Sequence, residues 1–205
     1  MKLNIESPLF EFINTTVHFI ALNLLFLITC LPVITAGPAI AALYQVLLKE
    51  ARGENGYLCS NYLKYFKQMF FQGIAVFAIY VASLFVLVFS TVFWSSLDGI
   101  LPAAAAAILA LLSLIVISGM LYVFPLMARF QNTIRQTVKN SFIIALSNMK
   151  LTVLLLLLHI TVISLLYLIP FMKIFMLMAG FAFFAFCFSY LFTKLFIKYE
   201  QEAEN

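Results

Sequence analysis

Two polar side chains inside long apolar segments are the candidates for chemistry in this sequence. His159 lies near the middle of one segment and Asn23 lies inside another. An imidazole in lipid is a candidate transport residue, because an ionisable group is costly there. A proton relay would also need an acid, and Asp98 is the one Asp or Glu between residues 55 and 199. We therefore interpret His159 as structural, and Asn23 as a hydrogen-bonding residue between helices. Serines on other segments could supply the partner of His159: Ser83, Ser113 and Ser118.

Motifs of catalysis and of cofactor binding are absent from the sequence. It contains no G-x-S-x-G, no glycine-rich phosphate loop, no H-E-x-x-H and no pair of acids in an apolar segment. Cys30, Cys59 and Cys187 are far apart and form no C-x-x-C pair. We therefore expect a protein that is not an enzyme, with no catalytic residue, no metal and no cofactor.

The composition points to lipid as the main solvent of this chain. Of its 205 residues, 65% are hydrophobic, 10% are charged and 23 are Phe. Soluble domains carry about a quarter charged residues, so a water-soluble fold could not hide this much apolar surface. The net charge of +4 would indicate nucleic acid only on an exposed polar domain, and the sequence has none. We expect the lipid bilayer, and no nucleic acid, as a partner.

Apolar runs of membrane length divide the chain into five predicted transmembrane helices within a single membrane domain. They cover about 17–36, 73–95, 102–126, 151–169 and 171–193, with long connections at about 38–70 and 129–150. The first run is too long for a signal peptide and lacks a basic start, so we expect it to stay uncleaved. The predicted fold class is an all-α integral membrane protein.

Basic residues predict the orientation of these spans. Ten of the twelve Lys and Arg residues fall in the two long connections or the carboxyl-terminal tail, leaving Lys2 and Lys173 for the opposite face. Because cytoplasmic loops carry an excess of Lys and Arg, we expect the amino terminus outside and the carboxyl terminus in the cytoplasm.

The two long connections also read as amphipathic helices, with polar residues at helical spacing opposite apolar ones. Such helices lie in the membrane interface or dock on a partner, and interfacial packing is the commoner use. The candidate docking residues are Gln45, Lys49, Arg52, Lys64, Lys67, Arg129, Arg135 and Lys139.

Several sequence patterns resemble the YesL family of bacterial membrane proteins. They are Leu31-Pro-Val-Ile-Thr-Ala-Gly-Pro-Ala-Ile-Ala-Ala-Leu-Tyr, Arg52-Gly-Glu-Asn-Gly-Tyr, Tyr65-Phe-Lys-Gln, Tyr122-Val-Phe-Pro-Leu-Met-Ala-Arg-Phe and Lys139-Asn-Ser-Phe. That family is a domain of unknown function whose members are often encoded beside carbohydrate ABC importers. The resemblance implies a role in sugar uptake or its regulation, and implies no catalytic residues.

Three functional hypotheses follow from the residues and the resemblance together. The first is an accessory or regulatory component of carbohydrate ABC import that binds permease or ATPase subunits. The second is an independent small transporter or channel, which would act as a homo-oligomer because five spans cannot form two equal repeats. The third is a membrane partner of a sensor kinase, although the outer loops look too small to hold a ligand site.

Overall fold

The computed structural model describes residues 8–54 and 56–204, with side chains for 15–54 and 56–201. Helices make up the regular structure of these residues. The α-helices are α1 (Pro8–Cys30), α2 (Ala36–Glu50), α3 (Leu58–Gln68), α4 (Phe70–Ser95), α5 (Ile100–Arg129), α6 (Ile134–Ser147), α7 (Met149–Leu168), α8 (Pro170–Phe175) and α9 (Phe181–Glu204). A 3-10 turn (Val33–Thr35) precedes α2, and a π-helical turn (Met176–Gly180) joins α8 to α9.

Four helices of the described chain are long and apolar enough to cross a membrane. They are α4, α5, α7 and the continuous stretch Pro170–Gln201, which contains α8, the π turn and most of α9. Each corresponds to one predicted span. Their outward faces carry many exposed Leu, Ile, Val and Phe side chains, as expected for helices that lie in lipid.

The first predicted span, 17–36, ends earlier than expected. In the structure, α1 ends at Cys30, six residues before the predicted end of the span. The chain bends at Leu31 and Pro32 because proline cannot donate the backbone hydrogen bond that would continue the helix. Thr35 Oγ1 donates to the carbonyl oxygens of Thr29 at 2.6 Å and Pro32 at 2.7 Å, which fixes the bend.

Helix α2 lies at the centre of the bundle. It packs against α1, α3, α4, α5 and α9, and ten of its residues are buried: Gly37, Pro38, Ala39, Ala41, Ala42, Leu43, Tyr44, Val46, Leu47 and Leu48. A sequence that is apolar on nearly every face is typical of a helix buried on all sides.

A glycine pair sets how closely α2 approaches α4. A Cβ atom added to Gly37 would overlap the backbone carbonyl of Gly73 and lie 2.7 Å from the Cβ of Phe77. A Cβ atom at Gly73 would in turn meet the backbone of Pro38. Small residues permit such backbone contact between membrane helices, so this pair fixes the start of α2 against α4.

Hydroxyl groups link the helices around this core. The Tyr62 hydroxyl on α3 bonds to Thr29 Oγ1 on α1, and the Tyr80 hydroxyl on α4 bonds to Ser141 Oγ on α6 at 2.6 Å. The Tyr122 hydroxyl on α5 is 2.9 Å from the Oγ1 of Thr152 on α7. Each bond satisfies polar groups that would be expensive to bury unpaired.

Candidate functional site

The structure separates the eight predicted docking residues into two groups. The first group is half-buried within helix contacts: Gln45, Lys49, Arg52 and Arg129. Lys49 Nζ donates to the Tyr65 hydroxyl at 2.9 Å and lies 5.3 Å from the centre of that ring. Helix α2 therefore does not offer the exposed polar face that the sequence predicted, because its lysine is bound within the chain.

The two arginines of this group hold helix ends together. Arg52 Nε donates to Glu54 at 2.6 Å across the turn after α2, and this hydrogen bond lowers the pKa of the Glu54 carboxyl. Arg129 donates to both carboxylate oxygens of Glu200, each at 2.8 Å. Bidentate pairs of this kind have a defined geometry, so Arg129 ties the end of α5 to the end of α9.

The second group is exposed and lies on α3 and α6. It consists of Lys64, Lys67, Arg135 and Lys139, which we call the basic surface. Gln72 Nε2 donates to the carbonyl oxygen of Asn132 at 3.0 Å. That bond brings the start of α4, directly after α3, against the chain that leads into α6, so both parts of the basic surface lie at one end of the molecule.

Helix α6 has a defined start and one buried stripe. Thr133 and Gln136 form a capping box, in which each side chain accepts from the backbone N–H of the other residue. Thr137, Ser141 and Ala145 are buried at spacings of four residues, which places them on one face. Arg135 and Lys139 are exposed, so they lie outside the buried stripe of α6.

Asn23 is fully buried and holds the π turn. Its Nδ2 donates to the carbonyl oxygens of Met176 at 3.1 Å and Leu177 at 2.9 Å, and its Oδ1 accepts from the N–H of Ala182 at 3.1 Å. A π turn shifts the backbone hydrogen-bond register of a helix, and the amide supplies partners for groups on both sides of that shift. The structure thus places Asn23 in a contact between helices.

His159 lines an apolar cavity of about 330 Å³ between α7 and the bundle. Its Nδ1 is 2.8 Å from the carbonyl oxygen of Leu155 and its ring stacks on Phe188 at 4.5 Å. A carbonyl oxygen only accepts, so Nδ1 carries the hydrogen in this bond. The partner of His159 is therefore its own helix and not a serine. The three serines proposed from the sequence likewise bond to carbonyls of their own helices.

Sequence reasoning did not identify the tyrosine hydroxyls as the main polar links between helices. Tyr62 and Tyr80 are almost fully buried, and burial raises the pKa of the Tyr62 hydroxyl, which keeps it protonated. A buried tyrosine needs a hydrogen-bond partner. Thr29 was the available signal, because it is a polar residue within the largely apolar helix α1.

Metal-binding and thiol chemistry find no support in the described part of the chain. There, no three His, Cys, Asp or Glu residues lie together in a way that could hold a metal ion. The three cysteines are free, and burial raises the pKa of the Cys59 thiol. A raised pKa favours the protonated thiol, which is a poor nucleophile.

Comparison with known proteins gives a family match in the amino-terminal part of the chain. Residues 19–91 match the family described as "Protein of unknown function, DUF624". Members of the YesL family carry this domain, so the match confirms the resemblance over that segment, which contains α2, α3 and the Gly37–Gly73 contact. Neither the curated proteins nor the solved structures gave a match to this chain.

Proposed function

We propose that this chain is a non-enzymatic accessory or regulatory component of carbohydrate ABC import, which binds permease or ATPase subunits through its basic surface. The observation that carries the proposal is the exposure of that surface. Within the described residues, neither Lys64 and Lys67 nor Arg135 and Lys139 form an ion pair. The basic residues of the core, in contrast, are bound within the chain. Basic side chains that have no ion-pair partner, on helices packed against the bundle, suit a partner with an acidic face.

The sugar-import part of the proposal is supported by the family resemblance. The basic surface indicates the charge of a partner. It does not indicate which solute that partner transports. A surface carried by two short helices that are fixed by Gln72, Tyr62 and Tyr80 suits a binding protein better than an enzyme. It offers exposed charge and no enclosed reactive group.

The proposed orientation places the basic surface in the cytoplasm. The ends of α5 and α9 meet through Arg129 and Glu200, and the start of α4 meets the chain before α6. The basic connections and tail therefore share one end of the molecule, in agreement with the excess of Lys and Arg in cytoplasmic loops. We propose that α1 completes a five-span topology with the amino terminus outside.

A single-cysteine reporter tests this orientation. In a variant with the three native cysteines replaced by alanine, Lys198→Cys should react with a membrane-impermeant maleimide only after the cells are opened. Asp98→Cys, in the turn between α4 and α5, should react in intact spheroplasts. The reverse pattern would contradict the orientation.

Purification from native membranes tests the docking proposal. Wild-type protein, solubilised in mild detergent, should recover permease or ATPase subunits. The recovery of these subunits should fall at least about tenfold in K64Q/K67Q/R135Q/K139Q. Each of the four charges of the basic surface contributes modestly to binding, and their effects add. A control variant, K173Q, changes an exposed lysine on the opposite face of the proposed topology and should recover the subunits normally. Recovery of the wild-type protein alone would count against the proposal.

A small transporter or channel acting as an oligomer is the second candidate, and the cavity beside His159 is the feature that it would use. Its lining is apolar apart from His159 and Tyr44, whereas oligosaccharides need a polar path. Uptake of oligosaccharides into proteoliposomes, lost in His159→Ala, would favour the transporter. No uptake by well-folded protein would exclude it.

A further inference from the structure

A second cavity lies between the first turn of α7 and the last part of α9. It has a volume of about 600 Å³ and is lined by Ser147, Asn148, Met149, Lys150, Leu151, Leu191, Lys194 and Leu195. None of these residues belongs to the basic surface or to the predicted docking set. The cavity therefore needs an explanation of its own, independent of the proposed function.

The charge of this cavity has one sign. Lys150 and Lys194 are exposed, and no acidic residue is among the eight that line it. Within the described residues, neither lysine forms an ion pair. Both charged side chains of the cavity therefore attract an anion.

One wall of the cavity is apolar, while Ser147 and Asn148 supply polar side chains elsewhere in the lining. Leu151, Leu191 and Leu195 are buried or half-buried, and Met149 is exposed. A soluble anion would gain nothing from this wall, whereas an acyl chain would bury apolar surface against it. Lysine stems can lie along such a wall with the ammonium at the polar end.

The position of the cavity also suits a lipid. It lies where two membrane-length helices, α7 and Pro170–Gln201, reach the basic end of the molecule. The bend between α6 and α7 is fixed there, because Asn148 Nδ2 donates to the Tyr199 hydroxyl on α9 at 2.7 Å. The Oγ1 of Thr152 also donates to the carbonyl oxygen of Ala145 at 2.7 Å. The two lysines are thus carried by helices whose relative position is set before any ligand binds.

We propose that this cavity binds an anionic phospholipid, with the headgroup phosphate between Lys150 and Lys194 and an acyl chain along Leu151, Leu191 and Leu195. Basic pockets between membrane helices near the headgroup level are suited to such lipids. A lipid bound there would add contacts between α7, which has few with the rest of the bundle, and the end of α9.

Native mass spectrometry of the full chain tests this proposal. Detergent-purified protein is titrated with phosphatidylglycerol and, separately, with phosphatidylcholine of the same acyl chains. Each lysine near an anionic headgroup contributes about fivefold in affinity. The wild-type protein should therefore prefer phosphatidylglycerol by about 25-fold, and K150Q/K194Q should reduce that preference to about twofold or less.

A matched variant separates the site from total charge. K64Q/K67Q also removes two positive charges, in this case from α3. It should keep the wild-type preference for phosphatidylglycerol and still bind one lipid. Equal loss in both variants would overturn the proposal, as would a preference that survives in K150Q/K194Q. Competition by millimolar glycerol phosphate would assign the cavity to a soluble anion and would also overturn it. Both variants change exposed side chains, so unchanged thermal unfolding is expected and excludes misfolding as the cause.

Discussion

Helices α2 and α6 occupy corresponding places in the sequence, since each lies in a long basic connection between membrane-length segments. Their places in the structure are opposite. α2 is buried at the centre of five other helices, whereas α6 lies at the edge with Arg135 and Lys139 exposed. Polar residues at helical spacing therefore do not by themselves show that a helix faces solvent.

The difference between the two helices comes from their small residues. α2 begins Ala-Gly-Pro-Ala-Ile-Ala-Ala, and these side chains allow neighbouring backbones to approach closely. α6 begins Ile-Arg-Gln-Thr-Val-Lys-Asn, which provides a polar face and a narrow buried stripe. The polar residues of α2 are confined to its last turns, where Lys49 finds a partner inside the chain.

The largest expected effect is at the contact between α2 and α4. Gly37→Ala would drive a methyl group into the Gly73 carbonyl, and backbone atoms cannot move aside as a flexible side chain can. We expect a loss of about 3 kcal/mol or more, seen as aggregation in size-exclusion chromatography. Gly56→Ala is the control, because the added methyl would meet only the side-chain amide of Asn61. A stable, monodisperse Gly37→Ala protein would contradict the close approach.

A pair of truncations compares the two helices directly. Leu47 on α2 is 0% exposed and Ile143 on α6 is 49% exposed. Leu47→Ala leaves a cavity and should lower the free energy of unfolding by about 3 kcal/mol, whereas Ile143→Ala should lower it by about 0.5 kcal/mol or less. Chemical denaturation in one detergent measures both. Equal losses would mean that α2 is no more buried than α6.

Weakening the attachment of α6 to the bundle should have a smaller effect on the free energy of unfolding. Tyr80→Phe removes the hydrogen bond to Ser141 and keeps the ring that stacks on Phe142. We expect a loss of about 1 kcal/mol, measured by the same denaturation. Tyr190→Phe changes a half-exposed tyrosine of α9 and should have no measurable effect.

The smallest effect on stability is expected at the charges of α6. R135Q/K139Q removes two exposed side chains that have no ion-pair partner within the described residues. The free energy of unfolding should change by about 0.5 kcal/mol or less. A loss above about 2 kcal/mol would show that these residues support the fold and are not a surface kept for a partner.

Much of the helical architecture could be predicted from the sequence, because apolar length alone identifies helices that suit a bilayer. The predicted spans 151–169 and 171–193 adjoin at Pro170, where α8 begins. The end of α1 at Cys30 was missed because Leu31 to Ile34 are apolar and continue the hydrophobic run. The π turn was missed because hydropathy does not report hydrogen-bond register.

The surroundings of the predicted docking residues depended on contacts between distant residues. Lys64, Lys67, Arg135 and Lys139 are exposed, and their role in docking stays a prediction. The internal partners of Lys49 and Arg129, namely Tyr65 and Glu200, lie 16 and 71 residues away. No local pattern pairs residues at those separations, so the sequence could not remove these two from the docking set.

Thiol accessibility tests the central claim, that α2 is a core helix and α6 a surface helix, most directly. In a background with Cys30, Cys59 and Cys187 replaced by alanine, Val46→Cys and Lys139→Cys would each be treated with a water-soluble maleimide in detergent. Because Val46 is 3% exposed and Lys139 is exposed, we expect labelling at Lys139→Cys to be at least about a hundredfold faster. Denatured samples of both variants should react alike. Equal rates in the folded proteins would contradict the account.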